Sequence, residues 1–345
     1  MHRTRMRAVV VTAMAAVWIQ SRLAHAQEFE QSFQLRPGWN SIYLDVEPAE
    51  NAIDRVLHEL PVEVVLRSAA TDSPVDYVQN PDEDTTAGPA WLRYEPGKSK
   101  ATLFSLEVHT AYLLKVTGDE PVKLTIRGRP TCQQQGWRPN AWNLRGFPID
   151  PEHPPTFANY FSTSANHDVE KIRRLNADGK WSTVTATGRM RWGEAYLVYC
   201  EGASSFTGPL EVVPATGDGL DFRASRTQVT LQLVSRRRSA TAVALSDVAG
   251  DESVLLVRQP DGQQRFRFDP LTESATRVLK KAGSQTNQIS VSRAGMKSDA
   301  LTTVLQIRDG QGTRHLVPVS VARSHAGPGG EQTPGSFAGL WIGVD

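Results

Sequence analysis

Residues 37–48 read PGWNSIYLDVEP, and residues 140–151 read NAWNLRGFPIDP. Both stretches carry Trp-Asn at their third and fourth positions, alternating apolar residues after it, and an acidic residue before a closing proline. Alternation over about ten residues indicates a β-strand with one buried face. Two such stretches in register predict that one β-rich module occurs twice in the chain.

The correspondence continues downstream of both stretches. Apolar residues with helical spacing predict a short helix over residues 53–60 of the first copy and over 157–161 of the second. The segment AYLLKV at 111–116 matches AYLVYC at 195–200, and each copy closes with a further strand, over 122–126 and 210–213. The copies therefore span residues 28–129 and 130–215. Their predicted structural anchors are Trp39, Asn40, Tyr112, Trp142, Asn143 and Tyr196.

A different pattern begins after the linker at residues 214–219. Short apolar strands separated by turn residues over 220–323 predict an immunoglobulin-like β-sandwich. Two hairpins are expected, one around Pro260-Asp261-Gly262 and one around Asp309-Gly310. A short helix is expected over 269–282. The predicted fold class is all-β: two small sandwich or barrel modules, each with a short helix, followed by the third sandwich.

These motifs resemble the Gly-Trp-Asn modules of large, mostly uncharacterised bacterial surface proteins. Gly38-Trp39-Asn40 and Gly193-Glu194-Ala195-Tyr196 fit that pattern, whereas Asn140-Ala141 replaces the expected glycine in the second copy. The resemblance covers about 190 residues by our comparison of the motifs. It implies a secreted or surface location and a modular architecture, and it implies no particular chemistry.

The first 26 residues are typical of a secretory signal. A basic start with three arginines precedes an apolar run over 8–19, and Ala24-His25-Ala26 has the form of a cleavage site. An uncleaved anchor helix is the alternative. Cleavage after Ala26 predicts a secreted, periplasmic or cell-surface protein without a later transmembrane segment.

Removing this segment takes away four arginines and no acids, which leaves 34 basic and 37 acidic residues. A chain with this balance offers no electrostatic basis for binding nucleic acid or an anionic membrane. Two cysteines remain, Cys132 and Cys200, near the two ends of the second copy. In an oxidising compartment they predict one disulfide, with two buried thiols as the alternative.

The sequence contains no recognisable catalytic motif. His58-Glu59 begins like a zinc-protease helix, but Val62 stands where the second histidine is required. Cys-x-x-Cys, Ser-x-x-Lys and a phosphate-binding loop are missing as well. No cofactor is predicted. A hydrolase that uses an unrecognised pair of carboxylates is the remaining enzymatic reading.

Two charged clusters and several tryptophans are candidates for binding sites. Asp82 and Asp84 could contribute to a calcium site, although a solvated loop is the simpler reading. Arg236-Arg237-Arg238 is predicted to lie in a solvated loop. Trp39 and Trp142 recur at one repeat position and are predicted core residues. Trp137 and Trp192 have no counterparts in the first copy and are the candidates for a ligand-binding surface.

Residues 324–336 are rich in glycine and proline and predict a flexible linker. The closing segment 337–345 resembles the start of a further strand, which could be a remnant, a sorting tail or a docking strand.

The sequence thus predicts a non-enzymatic exported protein that acts as a scaffold, spacer or adhesion module. Cell-envelope glycans and other surface proteins are the candidate partners. A carbohydrate-binding protein with exposed aromatic residues is the first alternative, and the two-carboxylate hydrolase is the second.

Overall fold

The computed structural model of the protein describes residues 29–69, 91–132, 136–249, 252–260, 266–272 and 274–323. Strands dominate these residues and form five sheets, so the predicted all-β class is confirmed. Within them, no helix has both the length and the apolar character needed to cross a membrane. The predicted signal segment, Asp82, Asp84 and the C-terminal stretch 324–345 lie outside the described residues.

The first module, residues 29–130, is a two-sheet sandwich with one helical turn. Its described elements are β1 (Phe29–Leu35), β2 (Gly38–Tyr43), β3 (Val46–Pro48), α1 (Ile53–Val56), β4 (Val62–Ser68), β5 (Trp91–Tyr94), β6 (Ala111–Val116) and β7 (Val122–Pro130). The antiparallel sheets have the strand orders β1-β7-β3 and β2-β6-β4-β5. Leu44, Tyr112 and Ile126 belong to the core between them.

The second module, residues 136–207, contains a single described sheet. Its elements are β8 (Ala141–Arg145), α2 (Phe157–Phe161), a 3-10 turn (Val169–Lys171), β9 (Ile172–Leu175), β10 (Trp181–Thr183) and β11 (Tyr196–Cys200). The strand order is β10-β9-β11-β8. Thr156 caps α2 by accepting a hydrogen bond from the Asn159 amide. Aromatic side chains from α2 and β11, including Phe157 and Tyr196, fill the core under the sheet.

The third domain, residues 208–323, is a sandwich of two five-stranded sheets. Its strands are β12 (Leu210–Pro214), β13 (Leu220–Asp221), β14 (Gln228–Ser235), β15 (Thr241–Asp247), β16 (Leu255–Pro260), β17 (Phe266–Pro270), β18 (Ala275–Leu279), β19 (Ser284–Val291), β20 (Ala300–Asp309) and β21 (Arg314–Ala322). The sheet orders are β12-β14-β19-β16-β17 and β13-β21-β20-β15-β18. The strands of both expected hairpins pair, β16 with β17 and β20 with β21, and residues 261–265 between the first two lie outside the described residues.

Two sequence-based assignments are corrected by the strand pairing. The strand at 210–213 was expected to close the second module, but β12 is hydrogen-bonded to β14 in the third domain. The helix expected over 269–282 is instead the end of β17 followed by β18. In β18 the odd-numbered residues 275, 277 and 279 are buried and the even-numbered ones exposed. That period of two belongs to a strand, which pairs with β15.

The predicted anchors occupy matching positions in the two modules. In the β2–β6 pair, Trp39 lies opposite Lys115 and Ile42 lies opposite Tyr112. In the β8–β11 pair, Trp142 lies opposite Tyr199 and Arg145 lies opposite Tyr196, at the corresponding four positions. The register of the two strand pairs is therefore the same.

The two tyrosine hydroxyls also make the same contact. The hydroxyl of Tyr112 accepts a hydrogen bond from the amide of Glu107, and that of Tyr196 accepts one from the amide of Arg191. Each donor is five residues before its tyrosine, so each ring holds the loop that leads into its own strand.

The anchor asparagines hold the turns before β2 and β8. Asn40 accepts a hydrogen bond from the amide of Arg36 at 2.9 Å and donates to its carbonyl at 2.7 Å. Asn143 does the same with Arg138, at 2.9 and 3.1 Å. Each side chain also donates to the carbonyl two positions before it.

The second of these turns is one residue longer, because it runs from 138 to 143 rather than from 36 to 40. Gly38 supplies the left-handed residue of the first turn, with φ of 85°, and Asn140 supplies that of the second, with φ of 55°. Asparagine adopts this conformation more readily than other side-chain-bearing residues. The replacement of the expected glycine is thereby accommodated.

Candidate functional site

The second module covers the outer face of the first module's four-stranded sheet. Val64, Leu66 and Leu113 on that face form a buried cluster with Leu175 of β9, and Trp39 packs against it. Trp39 was predicted to be a core residue, and that prediction is wrong. It lies three positions from Ile42, which points into the sandwich, so the alternation of the strand places Trp39 on the opposite face.

Backbone atoms of the two modules approach each other closely here. The Trp39 amide donates to the carbonyl of Ala177 at 2.9 Å. A Cβ on Gly38 would lie 2.3 Å from that carbonyl oxygen, and a Cβ on Gly179 would lie 2.7 Å from Cδ1 of Trp39. Glycine is therefore required on both sides of the contact, where φ is +85° in each case.

Trp142 occupies the equivalent face of the second module, where it is half-buried. Its ring stands edge-on to Tyr199 at 5.4 Å, and the Arg173 guanidinium lies 5.7 Å from its centre. The core role predicted for Trp142 is wrong for the same reason as for Trp39. The pair forms an aromatic surface flanked by a positive charge.

Trp137 is a core residue, contrary to the prediction that it faces a ligand. Its side chain is buried and its indole N–H donates to the carbonyl of Phe206. The centre of the His167 ring lies 3.9 Å from the centre of the Trp137 ring, and the Arg145 guanidinium lies 4.0 Å from the same centre. Its faces are occupied by protein groups, which leaves no room for a sugar ring.

Trp192 lies where all three units meet. Its indole N–H donates to the carboxylate of Asp45 in the first module. The Arg314 guanidinium of the third domain lies 4.6 Å from the centre of its ring, and Phe29 packs edge-on at 6.2 Å. This tryptophan thus joins a negative and a positive side chain from two other units.

A cavity of about 90 Å³ opens beside Trp192. All three units contribute polar side chains to it, among them Tyr43, Asp45, His109, Arg145, Trp192 and Arg314. We call it the junction cavity. Phe147, Phe206 and Val212 form apolar parts of its wall. A ring of charges in an apolar surround interacts more strongly than the same charges in water.

Burial shifts the titration of groups in this wall. It raises the pKa of Asp45 to about 7, although the Trp192 hydrogen bond and the Arg314 charge oppose it. It lowers the pKa of His109 to about 4, and the charge of Arg145 adds to this effect. His109 is therefore neutral near pH 7, whereas Asp45 is close to its midpoint of ionisation.

The sequence marked Trp192 as a candidate for a ligand-binding surface and did not mark its charged neighbours. One signal was present: Arg145 stands at the repeat position that holds the buried Ile42 in the first copy. A charged residue at a position expected to be apolar indicates a site with its own chemistry. Asp45, His109 and Arg314 carried no comparable signal. The first two meet within the first module, where the His109 amide donates to the carbonyl of Leu44, and Arg314 joins them only through packing of the third domain.

The two cysteines are free and belong to different cores, so the predicted disulfide is not formed. Cys132 packs against the core of the third domain, and Cys200 lies in that of the second module. The thiol of Cys132 is 3.9 Å from the carbonyl of Leu316, and that of Cys200 is 3.3 Å from the carbonyl of Gly202. Burial raises the pKa of Cys132 to about 12.

The basic run is not a solvated loop as predicted. Arg237 is buried and pairs with the buried Asp309 at 2.7 Å. Arg236 pairs with Glu211 at 3.0 Å, whereas Arg238 is exposed. Of the three arginines in this run, Arg238 alone is exposed to solvent.

Asp150, Glu152 and His153 bring three potential metal-ligand atoms within 4.8 Å of one another. Arg308 of the third domain already supplies a cation there, at 3.8 Å from Asp150 and 2.9 Å from Glu152. The cluster is therefore an ion-paired contact between the second module and the third domain.

The arrangement does not supply the pair of acids that a glycosidase uses. Among the described residues that line the junction cavity, Asp45 is the one carboxylate. Two carboxyl groups separated by roughly 5–9.5 Å are needed across a glycosidic bond. The junction cavity can bind a polar group, but it lacks this catalytic geometry.

No protein-family model matches the sequence, and no curated protein matches it. Among solved structures, the ASH/PapD-like domain of human CEP192 matches at 12% identity and a TM-score of 0.22, over 33% of this chain and 84% of that one. The collagen-binding subdomain of the Enterococcus faecalis surface protein ACE matches at 11% identity and a TM-score of 0.18. The match covers 33% of this chain and 97% of that one.

A longer structure of ACE, described as binding its ligands by the collagen Hug model, matches at 9% identity and a TM-score of 0.20, over 86% of this chain and 84% of that one. Similarities this low carry no argument about function. The function of this chain has to be argued from its own residues.

Proposed function

We propose that the protein is an exported, non-enzymatic scaffold or adhesion protein, built from two Gly-Trp-Asn-type repeat modules fixed to a β-sandwich. The observation that carries this proposal is the packed contact between the two modules at Trp39. A spacer must hold its units in a constant relative position, and a buried contact with glycine-dependent backbone approach does so.

Further bonds between the units support a rigid arrangement. The Ser41 hydroxyl donates to the carbonyl of Ala195 at 2.8 Å, and the Tyr43 amide donates to that of Gly193 at 2.8 Å. The Arg314 amide donates to the carbonyl of Pro148 at 2.9 Å. These bonds join the first module to the second, and the second to the third domain.

The matched asparagine and tyrosine contacts support an origin of the two modules by duplication. The module surfaces that remain exposed are suited to contacts with other surface proteins or with cell-envelope glycans. The signal-like residues 1–26 support export. Among its described lining residues the junction cavity has one carboxylate, so it lacks the two-acid geometry of a glycosidase.

Two measurements on the whole chain test the proposal. A reporter enzyme that folds only outside the cytoplasm, fused after Asp345, should be active, and deletion of residues 2–26 should abolish that activity. Small-angle scattering of the mature chain should fit one fixed arrangement of the units. An inactive reporter would reject export, and a profile that requires independently moving modules would reject the spacer role.

The pair of Trp142 and Tyr199 favours a second candidate function, carbohydrate binding. Aromatic faces stack on the apolar faces of sugars, and Arg173 beside them could donate hydrogen bonds to hydroxyl groups. On a glycan array, Trp142→Ala should lose the signal of the parent protein. Phe104→Ala, which removes a 69% exposed aromatic residue from the first module, is the matched control. A parent protein that binds no glycan would exclude this candidate.

A further inference from the structure

Several hydrogen-bond donors around the junction cavity lack a hydrogen-bond partner in the part of the chain that the structure describes. Arg314 is 8% exposed, and neither its Nε nor its Nη2 has a hydrogen-bond partner among the described residues. The hydroxyl of Thr207, which also lines the cavity, is buried and unpartnered in the same sense. Buried donors without partners are uncommon in folded proteins, and bound water or a ligand is a usual explanation.

The chemistry of the donors restricts the ligand. A guanidinium presents a planar set of N–H groups that matches the two oxygens of a carboxylate or phosphate. The indole of Trp192 packs against Arg314 and fixes the orientation of its side chain. A preoriented guanidinium loses little side-chain entropy when an anion binds.

The balance of charge also favours an anion. Arg145 and Arg314 line the cavity, and Asp45 is the single acidic side chain among its described lining residues. The Asp45 carboxylate already accepts the indole hydrogen bond from Trp192. Among the lining residues, two positive groups therefore face one negative group inside a partly apolar wall, where charges are weakly screened. Arg308, Asp150 and Glu152 act on Arg314 from outside this lining.

The cavity is small. Its volume of about 90 Å³ leaves room for several water molecules. A compact polar head group can replace these waters.

We propose that the junction cavity is a binding site for a small oxyanion, a carboxylate or phosphate group, which accepts hydrogen bonds from Arg314 and Thr207. The site is independent of the scaffold role and of the Trp142 surface. Because its walls come from all three units, the bound anion holds them together. A ligand of this kind stabilises the assembled chain in proportion to its occupancy.

The pH dependence of binding gives a second signature. The titratable and charged groups that share the cavity with Asp45 are Tyr43, His109, Cys132, Arg145, Arg314 and His315. The pKa values of His109 and His315 are lowered and those of Tyr43 and Cys132 are raised, all chiefly by burial. Asp45 is thus the group that changes charge near pH 7, and its protonation removes a repulsive charge.

Calorimetric titration of the mature chain at constant ionic strength, with sodium acetate and inorganic phosphate as separate probes, tests the site. We expect saturable binding of at least one probe, and a melting temperature that rises with its concentration. Acetate, which stays ionised over this range, should bind more tightly at about pH 6 than at about pH 8. Acetate binding without phosphate binding indicates a carboxylate ligand, and the reverse indicates a phosphate ligand.

Three variants locate the binding. Arg314→Met keeps the bulk of the side chain and removes the donors, and it should weaken binding by about tenfold or more. Thr207→Val should weaken it by about threefold or more while leaving Arg314 in place, so it serves if Arg314→Met fails to fold. Arg267→Met removes an exposed arginine on β17 and should leave binding unchanged. A parent chain that binds neither probe, or variants at Arg314 and Thr207 that both bind like the parent, would overturn the proposal.

Discussion

Asn40 and Asn143, which lie in different modules, hold their turns with the same three hydrogen bonds. Each side-chain oxygen accepts from an amide before the strand, and each side-chain nitrogen donates to two carbonyls. Both side chains are buried. The asparagine of the Trp-Asn motif is therefore the residue that fixes the strand entry, while the tryptophan serves a contact outside the core.

Replacing either asparagine by alanine should destabilise its module. Asn40→Ala and Asn143→Ala each remove three hydrogen bonds between the side chain and the turn backbone, which should cost about 1–3 kcal/mol. Urea unfolding of each variant measures this loss. Asn159→Ala, at an exposed position of α2, is the control and should change stability by less than about 0.5 kcal/mol. Equal effects at all three positions would contradict the turn-holding role.

This motif shows how far the sequence could lead. The repeat, its strands and its anchor positions are readable because the alternation and the Trp-Asn pair recur in register. The direction in which Trp39 points was not readable from repetition alone, since a position conserved between copies serves a core or an interface equally well. Trp39 and Ile42 are an odd number of positions apart on one strand, so their side chains lie on opposite faces. The direction of Trp39 therefore follows once Ile42 is known to face the core.

The contact between Trp39 and Gly179 should be sensitive to one methyl group. Gly179→Ala places a Cβ 2.7 Å from the indole in a backbone conformation with φ of +85°. Gly97→Ala meets a similar φ of +73° with nothing within 4 Å, so it measures the conformational cost alone, about 1–2 kcal/mol. Gly179→Ala should lose about 1–3 kcal/mol more in urea unfolding.

A double-mutant cycle isolates that clash. In a Trp39→Ala background the additional loss at Gly179 should disappear, because the ring that the new methyl group meets is gone. If Gly179→Ala and Gly97→Ala cost the same in the parent chain, the two modules are not packed at this point.

Among the charged contacts of the third domain, the ion pair of Arg237 and Asp309 should contribute most to the stability of that domain. Both side chains are almost fully buried, at 5% and 0% exposure. Arg237→Met leaves the Asp309 charge buried without its partner, which should cost about 3–5 kcal/mol. The neighbouring Arg238→Met removes an exposed charge and should change stability by at most about 0.5 kcal/mol. Thermal unfolding of both variants gives the comparison, and similar melting temperatures would refute it.

Charged residues mark the limit of prediction from this sequence. The run of three arginines is indistinguishable from a solvated loop until β20 places Asp309 beside it. The junction cavity is harder still, because its walls combine residues as far apart as Asp45 and Arg314 and include a third domain that does not share the repeat pattern of the two modules. Patterning predicts single elements well, whereas the contacts between units depend on shapes that the pattern does not encode.

The thiols of Cys132 and Cys200 should behave as two free, slowly reacting groups. Burial raises both pKa values, so little thiolate is present near pH 7. Iodoacetamide should label the native chain slowly and should label both cysteines after denaturation without reductant. Mass spectrometry counts the additions. Absence of label in the denatured, unreduced chain would show a disulfide and contradict the separation of the two cores.

The buried carboxyl of Asp45 should make stability depend on pH in a direction opposite to that of most acids. Its pKa is raised to about 7, whereas in an unfolded chain it is about 3.9. Between these values the folded state holds a proton that the unfolded state lacks, so this group adds stability as the pH falls from about 7 to about 4.

Three of the described histidines, His109, His167 and His315, oppose that trend, because burial lowers their pKa values. The pKa values of His109 and His167 are lowered to about 4, chiefly by burial, so the unfolded chain binds protons there first and stability falls as the pH falls. The parent curve therefore mixes both effects, and a variant is needed to separate them. Asp45→Asn keeps an oxygen that can accept the Trp192 hydrogen bond and removes the titration. Urea unfolding of both chains from about pH 8 to about pH 4 should show the parent gaining stability relative to Asp45→Asn as the pH falls. A difference between the two curves that stays constant with pH would mean that the carboxyl is solvated and that the junction cavity does not exclude water from it.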